Sequence, residues 1–169
     1  MSSQADHNGM DDARTTADEV DRIVVFSLGG QKYALPIQVV QEIQQIVEPT
    51  GVPDTVPALL GMIDLRGEIL PLFDLRRLLG VEAAPIDLQT PMIITRSRSR
   101  QVALLVDEVD DVVETPPGSV KQAGAAYEIA DKLIGVCRLG EGLVLLLDID
   151  SLLPEERIAA VGDATGGSA

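Results

Sequence analysis

Cysteine, histidine and aromatic residues are scarce in this 169-residue chain, and each scarcity removes a class of function. The single Cys137 allows no internal disulfide, and its place in the apolar run Leu133 to Leu139 marks a buried, inert thiol suited to a reducing cytoplasm. The single histidine, His7, lies in a polar N-terminal stretch, so no Cys-His or Ser-His dyad and no imidazole-containing metal site can form within a fold. Four rings in all (Phe26, Tyr33, Phe73, Tyr127) are too few for a base-stacking platform. Positive charge is also short: 13 basic residues face 27 acidic ones, a formal charge of −14. That balance repels phosphate backbones and anionic membrane surfaces, and nucleic acid is excluded as a partner. No apolar run approaches the roughly 20 residues of a membrane-spanning helix, so direct membrane insertion is not expected.

What is present reads as short strands. Residues 1–20 are polar, small and acidic, and are expected to form a flexible tail. Ile23 to Phe26 and Lys32 to Leu35 form a hairpin about Gly29-Gly30. Apolar residues at 36, 37, 40 and 43 are helically spaced, which predicts a short helix after Pro36. Pro49, Pro53 and Pro57 impose an extended connector. Met62 to Leu65 and Ile69 to Phe73 make a second hairpin, after which Asp74 caps and Gly80 ends a short helix. Residues 81–90 are a second connector. Met92 to Thr95 and Val102 to Val106 pair through an arginine-rich turn. Leu133 to Leu139 and Leu143 to Leu147 form a last hairpin, followed by a short helix at 148–153, and the C-terminal residues 155–169 form a tail.

The second half repeats the first. A shift of 74 lays Leu59-Leu60-Gly61 on Leu133-Ile134-Gly135, Asp74 on Asp148 and Leu78-Leu79 on Leu152-Leu153; a shift of 69 lays Tyr33-Ala34-Leu35 on Val102-Ala103-Leu104 and Val40 on Val109. Such a duplication of hairpins implies a mainly β chain spanning 21–154, with two small barrel-like subdomains packed together.

The duplicated carboxylates are the first candidates for chemistry. Asp74 and Asp148 would serve a small-ligand or hydrolytic barrel if they shared a proton. The residues after them, Leu75-Arg76 and Ile149-Asp150, favour helix capping instead. Asp107, Glu108, Asp110 and Asp111 lack the glycine turn and terminal glutamate of a calcium loop and read as a solvated acidic face. Arg96, Arg98 and Arg100 crowd one hairpin tip, with solvation as the default reading. No catalytic group, cofactor site or metal site is expected. At the turn of the second hairpin stands Arg66, whose rigid five-donor fork suits a carboxylate or carbonyl edge of a partner; spacing alone does not separate that role from a solvated turn.

The stretch Gly61-Met62-Ile63-Asp64-Leu65-Arg66-Gly67-Glu68-Ile69-Leu70-Pro71-Leu72-Phe73-Asp74-Leu75-Arg76 closely resembles the signature Gly-x-x-Asn-Leu-Arg-Gly-x-x-x-Pro-x-x-Asp-Leu-Arg of the CheW family of chemotaxis coupling proteins. Phe26-Ser27-Leu28-Gly29 with Tyr33, Val40-Gln41-Glu42-Ile43, Val106-Asp107-x-Val109-x-Asp111-Val112 and Leu143 to Asp148 extend the resemblance in order over about residues 20 to 154. It implies two five-stranded SH3-like barrels and a cytoplasmic adaptor that binds the tip of a chemoreceptor's helical hairpin and the regulatory domain of a CheA-type histidine kinase. Related contacts would build self-associated arrays beneath the receptors. By family pattern the receptor contact falls on Val40, Glu42, Gly61, Arg66, Gly67 and Val112, and the kinase contact on the first subdomain. Asp64 stands where the family carries Asn, which places a second acceptor beside Arg66 and sets up a local Asp64–Arg66 pair.

Overall fold

The computed structural model describes residues 16–53, 56–124 and 129–153. Eleven strands among them form two sheets. The strands are β1 (Arg22–Leu28), β2 (Gln31–Pro36), β3 (Val40–Gln45), β4 (Leu59–Leu65), β5 (Glu68–Asp74), β6 (Pro91–Ser97), β7 (Arg100–Leu105), β8 (Glu108–Glu114), β9 (Val120–Lys121), β10 (Leu133–Leu139) and β11 (Gly142–Leu147), with short helices α1 (Leu75–Leu78) and α2 (Ile149–Leu152). One sheet has the order β8-β1-β2-β11-β10-β9 and the other β3-β6-β7-β5-β4. The first is thus six-stranded rather than five-stranded, because the two-residue β9 adds to β10.

All four expected hairpins form, but the sequence repeats are not the sheets. The first hairpin of each repeat has crossed to the other repeat's sheet. β2 runs parallel to β11, with Ala34 opposite Leu146, and β7 runs parallel to β5, with Ala103 opposite Leu72. Those two pairs superpose under the shifts of 69 and 74. The crossing is made by the turn Ile37–Val39 in the first half and by Val106-Asp107 in the second.

Burial follows from this interleaving. Ile63, Leu65, Leu70, Leu72, Met92, Ile94, Ala103 and Leu105 fill one sheet's interior. Val20, Ile23, Val25, Ala34, Val144 and Leu146 fill the other's. Phe26, Leu35, Phe73, Ile93, Leu104 and Leu147 belong to a larger cluster shared between the sheets. Strand β7 serves both sides, Ala103 and Leu105 facing one core and Val102 and Leu104 the other. A strand buried on both faces reads as a continuous apolar run, which is how Val102 to Val106 is written.

Two expectations are corrected. The helix predicted from Pro36 is only a 3-10 turn over Ile37–Val39, and Val40 to Gln45 is strand β3, with exposure alternating along it and pairing to β6. Pairing to a neighbouring strand outweighs a local three-residue spacing. Chain order also begins before residue 21. Ala17–Glu19 form a 3-10 turn, Glu19 accepts a hydrogen bond from the Thr16 amide at 3.0 Å, and buried Val20 accepts one from Thr115 Oγ1 at 2.9 Å. The rest of the expected tails, residues 1–15 and 155–169, lies outside the described residues.

Candidate functional site

The β4–β5 turn has positive φ at both central residues, Arg66 (53°) and Gly67 (91°). Gly67 takes this conformation freely. An arginine does so at a cost, and the corresponding position in the repeat is Gly140, with φ 61°. The turn is held by Asp64, whose Oδ1 accepts from the Gly67 amide at 2.8 Å. The expected Asp64–Arg66 pair is therefore corrected: Asp64 holds the turn, a task an asparagine side-chain oxygen performs equally well.

The Arg66 fork instead reaches across to β3. Nη1 donates to Glu42 Oε2 at 3.1 Å and Nη2 to Glu42 Oε1, a two-pronged pair in which the Arg66 side chain stays 66% exposed. The hydrogen bond and charge of Arg66 hold the Glu42 carboxyl below its ordinary range, and Glu42 raises the Arg66 pKa in return. The stabilising contribution of such a lowered carboxylate is present above its unfolded pKa and is lost as pH falls through the lowered folded value. In Arg66→Ala, the Glu42 side-chain carboxyl is expected to titrate at higher pH, back toward an ordinary glutamate, as read by carboxyl-carbon NMR.

The other expected site residues are placed as follows. Val40 is half-buried at the start of β3 and packs against the shared core. Gly61 is buried near the start of β4 and lies beneath the Thr50 carbonyl: a Cβ there would fall inside contact distance of that oxygen. Its role in the fold is this close backbone approach. Val112 is 46% exposed on β8 of the other sheet, opposite Val24. The structure thus brings Glu42, Arg66 and Gly67 together at one rim.

Sequence reasoning passed over three exposed apolar side chains that the repeat itself pairs. Ile43, 39% exposed, is the counterpart of Val112 under the shift of 69; Ile69, 58% exposed, is that of Leu143, 46% exposed, under the shift of 74. The signal was available as matched apolar residues at strand positions whose faces were not assigned.

The two duplicated carboxylates do not form an acid–base pair. Asp74 Oδ1 accepts from the Arg76 amide at 3.0 Å and Asp148 Oδ1 from the Asp150 amide at 3.2 Å, each capping its own helix. Nor do the acidic residues near β8 converge. Asp107 accepts from the Gly29 amide and from Arg76, Asp110 from Ser27 and Lys32, and Asp111 from the Val112 amide. Among the described residues no group of three or more acidic, cysteine or histidine side chains is arranged to hold a metal ion, and no helix is long and apolar enough to cross a membrane.

The Glu42–Arg66 pair thus joins the two outer strands of the five-stranded sheet, β3 and the β4–β5 hairpin. The chain belongs to the CheW-like domain family, whose model matches residues 22–157. The chemotaxis protein CheW of Klebsiella aerogenes is 32% identical over 140 residues, covering 82% of this chain and 84% of that protein. The CheW protein of Rhizobium meliloti is 30% identical over 141 residues, covering 82% and 91%. Among solved structures, the scaffolding protein TtCheW from Thermoanaerobacter tengcongensis matches with a TM-score of 0.75 and 26% identity over 80% of this chain and 93% of that one.

Proposed function

We propose that the chain is a non-catalytic adaptor that couples the cytoplasmic tip of a chemoreceptor to the regulatory domain of a CheA-type histidine kinase. It works in the cytoplasm and is recruited to membrane-bound receptor arrays through protein contacts, self-association among them. The observation that carries this reading is Arg66: an exposed arginine kept at positive φ, where its repeat has glycine, and aimed by Glu42. Backbone strain at an exposed side chain is explained by what that side chain binds. We assign the receptor contact to Val40, Glu42, Gly61, Arg66, Gly67 and Val112, with Gly61 and Gly67 shaping the backbone rather than touching through side chains. The kinase contact falls on the first subdomain, where Ile69 is the most exposed apolar residue of the β4–β5 hairpin.

Arg66→Ala is expected to weaken binding to a purified receptor-tip hairpin by about tenfold or more, measured by calorimetry. Arg66→Gly should lose the same affinity with the melting midpoint nearly unchanged, because the relieved positive-φ cost offsets the lost Glu42 pair. Unchanged affinity in both variants would sink the assignment of Arg66, and a chain retaining neither receptor tip nor kinase domain in a pull-down would sink the adaptor reading.

A further inference from the structure

The two halves close their junctions differently. In the first, Arg76 is buried beside α1, donating to Asp74, to Asp107 Oδ1 at 3.0 Å and to the Ala84 carbonyl at 2.7 Å, and with Asp107 it lines a pocket of about 330 Å³ in which the guanidinium is already paired. In the second, the shift of 74 puts Asp150 in place of Arg76, and the shift of 69 puts Gln38 in place of Asp107 and Arg98 in place of Gly29. No long side chain of α2 enters the corresponding crevice. It remains an open pocket of about 200 Å³ whose lining includes Gln38, Arg96, Arg98, Asp148 and Asp150.

Two guanidiniums and two carboxylates line that pocket. Asp148 accepts from the Asp150 amide at 3.2 Å and Ser151 Oγ at 3.0 Å, and Asp150 accepts from Ser97 Oγ at 2.8 Å. Among the described residues Arg96 donates to the Ser99 carbonyl at 3.4 Å and Arg98 to the Asp150 carbonyl at 3.5 Å. Each guanidinium carries five N–H donors, so most are unspent, and among the described residues neither arginine is paired with a carboxylate. Arg98 also holds φ at 52° where its repeat has a glycine at 58°. What the second junction lacks, relative to the first, is the carboxylate of Asp107.

We propose that this pocket is a carboxylate-binding site that receives an acidic side chain from a partner protein, supplying in trans what Asp107 supplies in cis at the first junction. Two cations flanked by Asp148 and Asp150 suit a single carboxylate. They do not suit a polyanionic surface, which a chain of net charge −14 repels.

The test is fluorescence anisotropy of a rhodamine-labelled, C-terminally amidated glycine–serine peptide carrying a single glutamate, titrated with the full chain. Saturable binding that weakens as salt is raised is expected, falling about tenfold or more in Arg96→Ala with Arg98→Ala. Gln38→Asp should weaken it too, by filling the acceptor position from within, while Arg22→Ala, at the start of β1 and outside the pocket lining, should leave it unchanged. All these positions are exposed, and matching melting midpoints confirm intact folds. Failure to saturate, binding that survives the double substitution, or an equal loss in Arg22→Ala overturns the proposal.

Discussion

Replacing Arg76 with alanine is expected to cost roughly 3–5 kcal/mol of stability, the effect of removing one partner from a buried charge network. The Arg76 side chain is only 1% exposed. Its Nε and Nη2 grip Asp74 at 2.9 and 3.2 Å, and Nη1 bonds Asp107 at 3.0 Å. Burial disfavours the charged guanidinium, but the bonds and charges of Asp74 and then Asp107 outweigh it, and the pKa is raised. Asp107 in turn accepts from the Gly29 amide at 2.8 Å, so one guanidinium ties the end of β5 to the β1–β2 turn on the other sheet. Alanine leaves buried Asp74 with only the exposed Arg77 guanidinium, 3.6 Å away, as counter-charge, and the connector carbonyl of Ala84 without its donor. A loss of that size is a large share of a typical domain's stability, and urea unfolding measures it directly. Adding Asp74→Asn and Asp107→Asn to Arg76→Met should recover part of it, since the caps keep an acceptor and no charge is stranded.

Gly61→Ala is expected to cost about 2–4 kcal/mol, because the new methyl group meets backbone that has no rotamer to change. The Thr50 carbonyl that the methyl group would strike is fixed by its own bond from the Met62 amide at 2.8 Å. The repeat supplies a control. Gly135 sits at the equivalent bulge, where a Cβ would lie 2.5 Å from the Lys121 carbonyl oxygen. Gly135→Ala should therefore destabilise comparably, in urea melts, without lying in the proposed receptor contact. A fall in receptor binding shared by both variants reports the fold; a fall confined to Gly61→Ala after correction for stability reports the contact.

Hairpins and caps were legible because their signals are local. Gly29-Gly30 marks its turn, and Asp74 and Asp148 cap the helices they precede. The duplication was legible as well, down to the paired glycines. The exchange of hairpins between repeats was not, since the pairing of Ala34 with Leu146 or of Leu72 with Ala103 leaves no mark on either strand alone. Strand β3 was misread for a related reason: its partner β6 lies about 50 residues away, and local spacing favoured a helix. At the candidate site, Arg66 stood out in the sequence, but its partner did not. Glu42 lies 24 residues before it, whereas Asp64 lay two residues away and looked the better match. Arg76 was visible only as the end of a signature, and its burial depends on Asp107 arriving from the other half.

The crossed hairpins also set the order in which the protein can be assembled. All strands of the β3-β6-β7-β5-β4 sheet are in hand once Leu105 has been synthesised, whereas β2 has no β11 beside it until Leu147 emerges. On the ribosome the middle of the chain is able to close while the N-terminal hairpin still presents an open edge, the kind of edge that invites pairing with a neighbouring nascent chain. Protection comes late, when the last of the described strands is laid against one of the first.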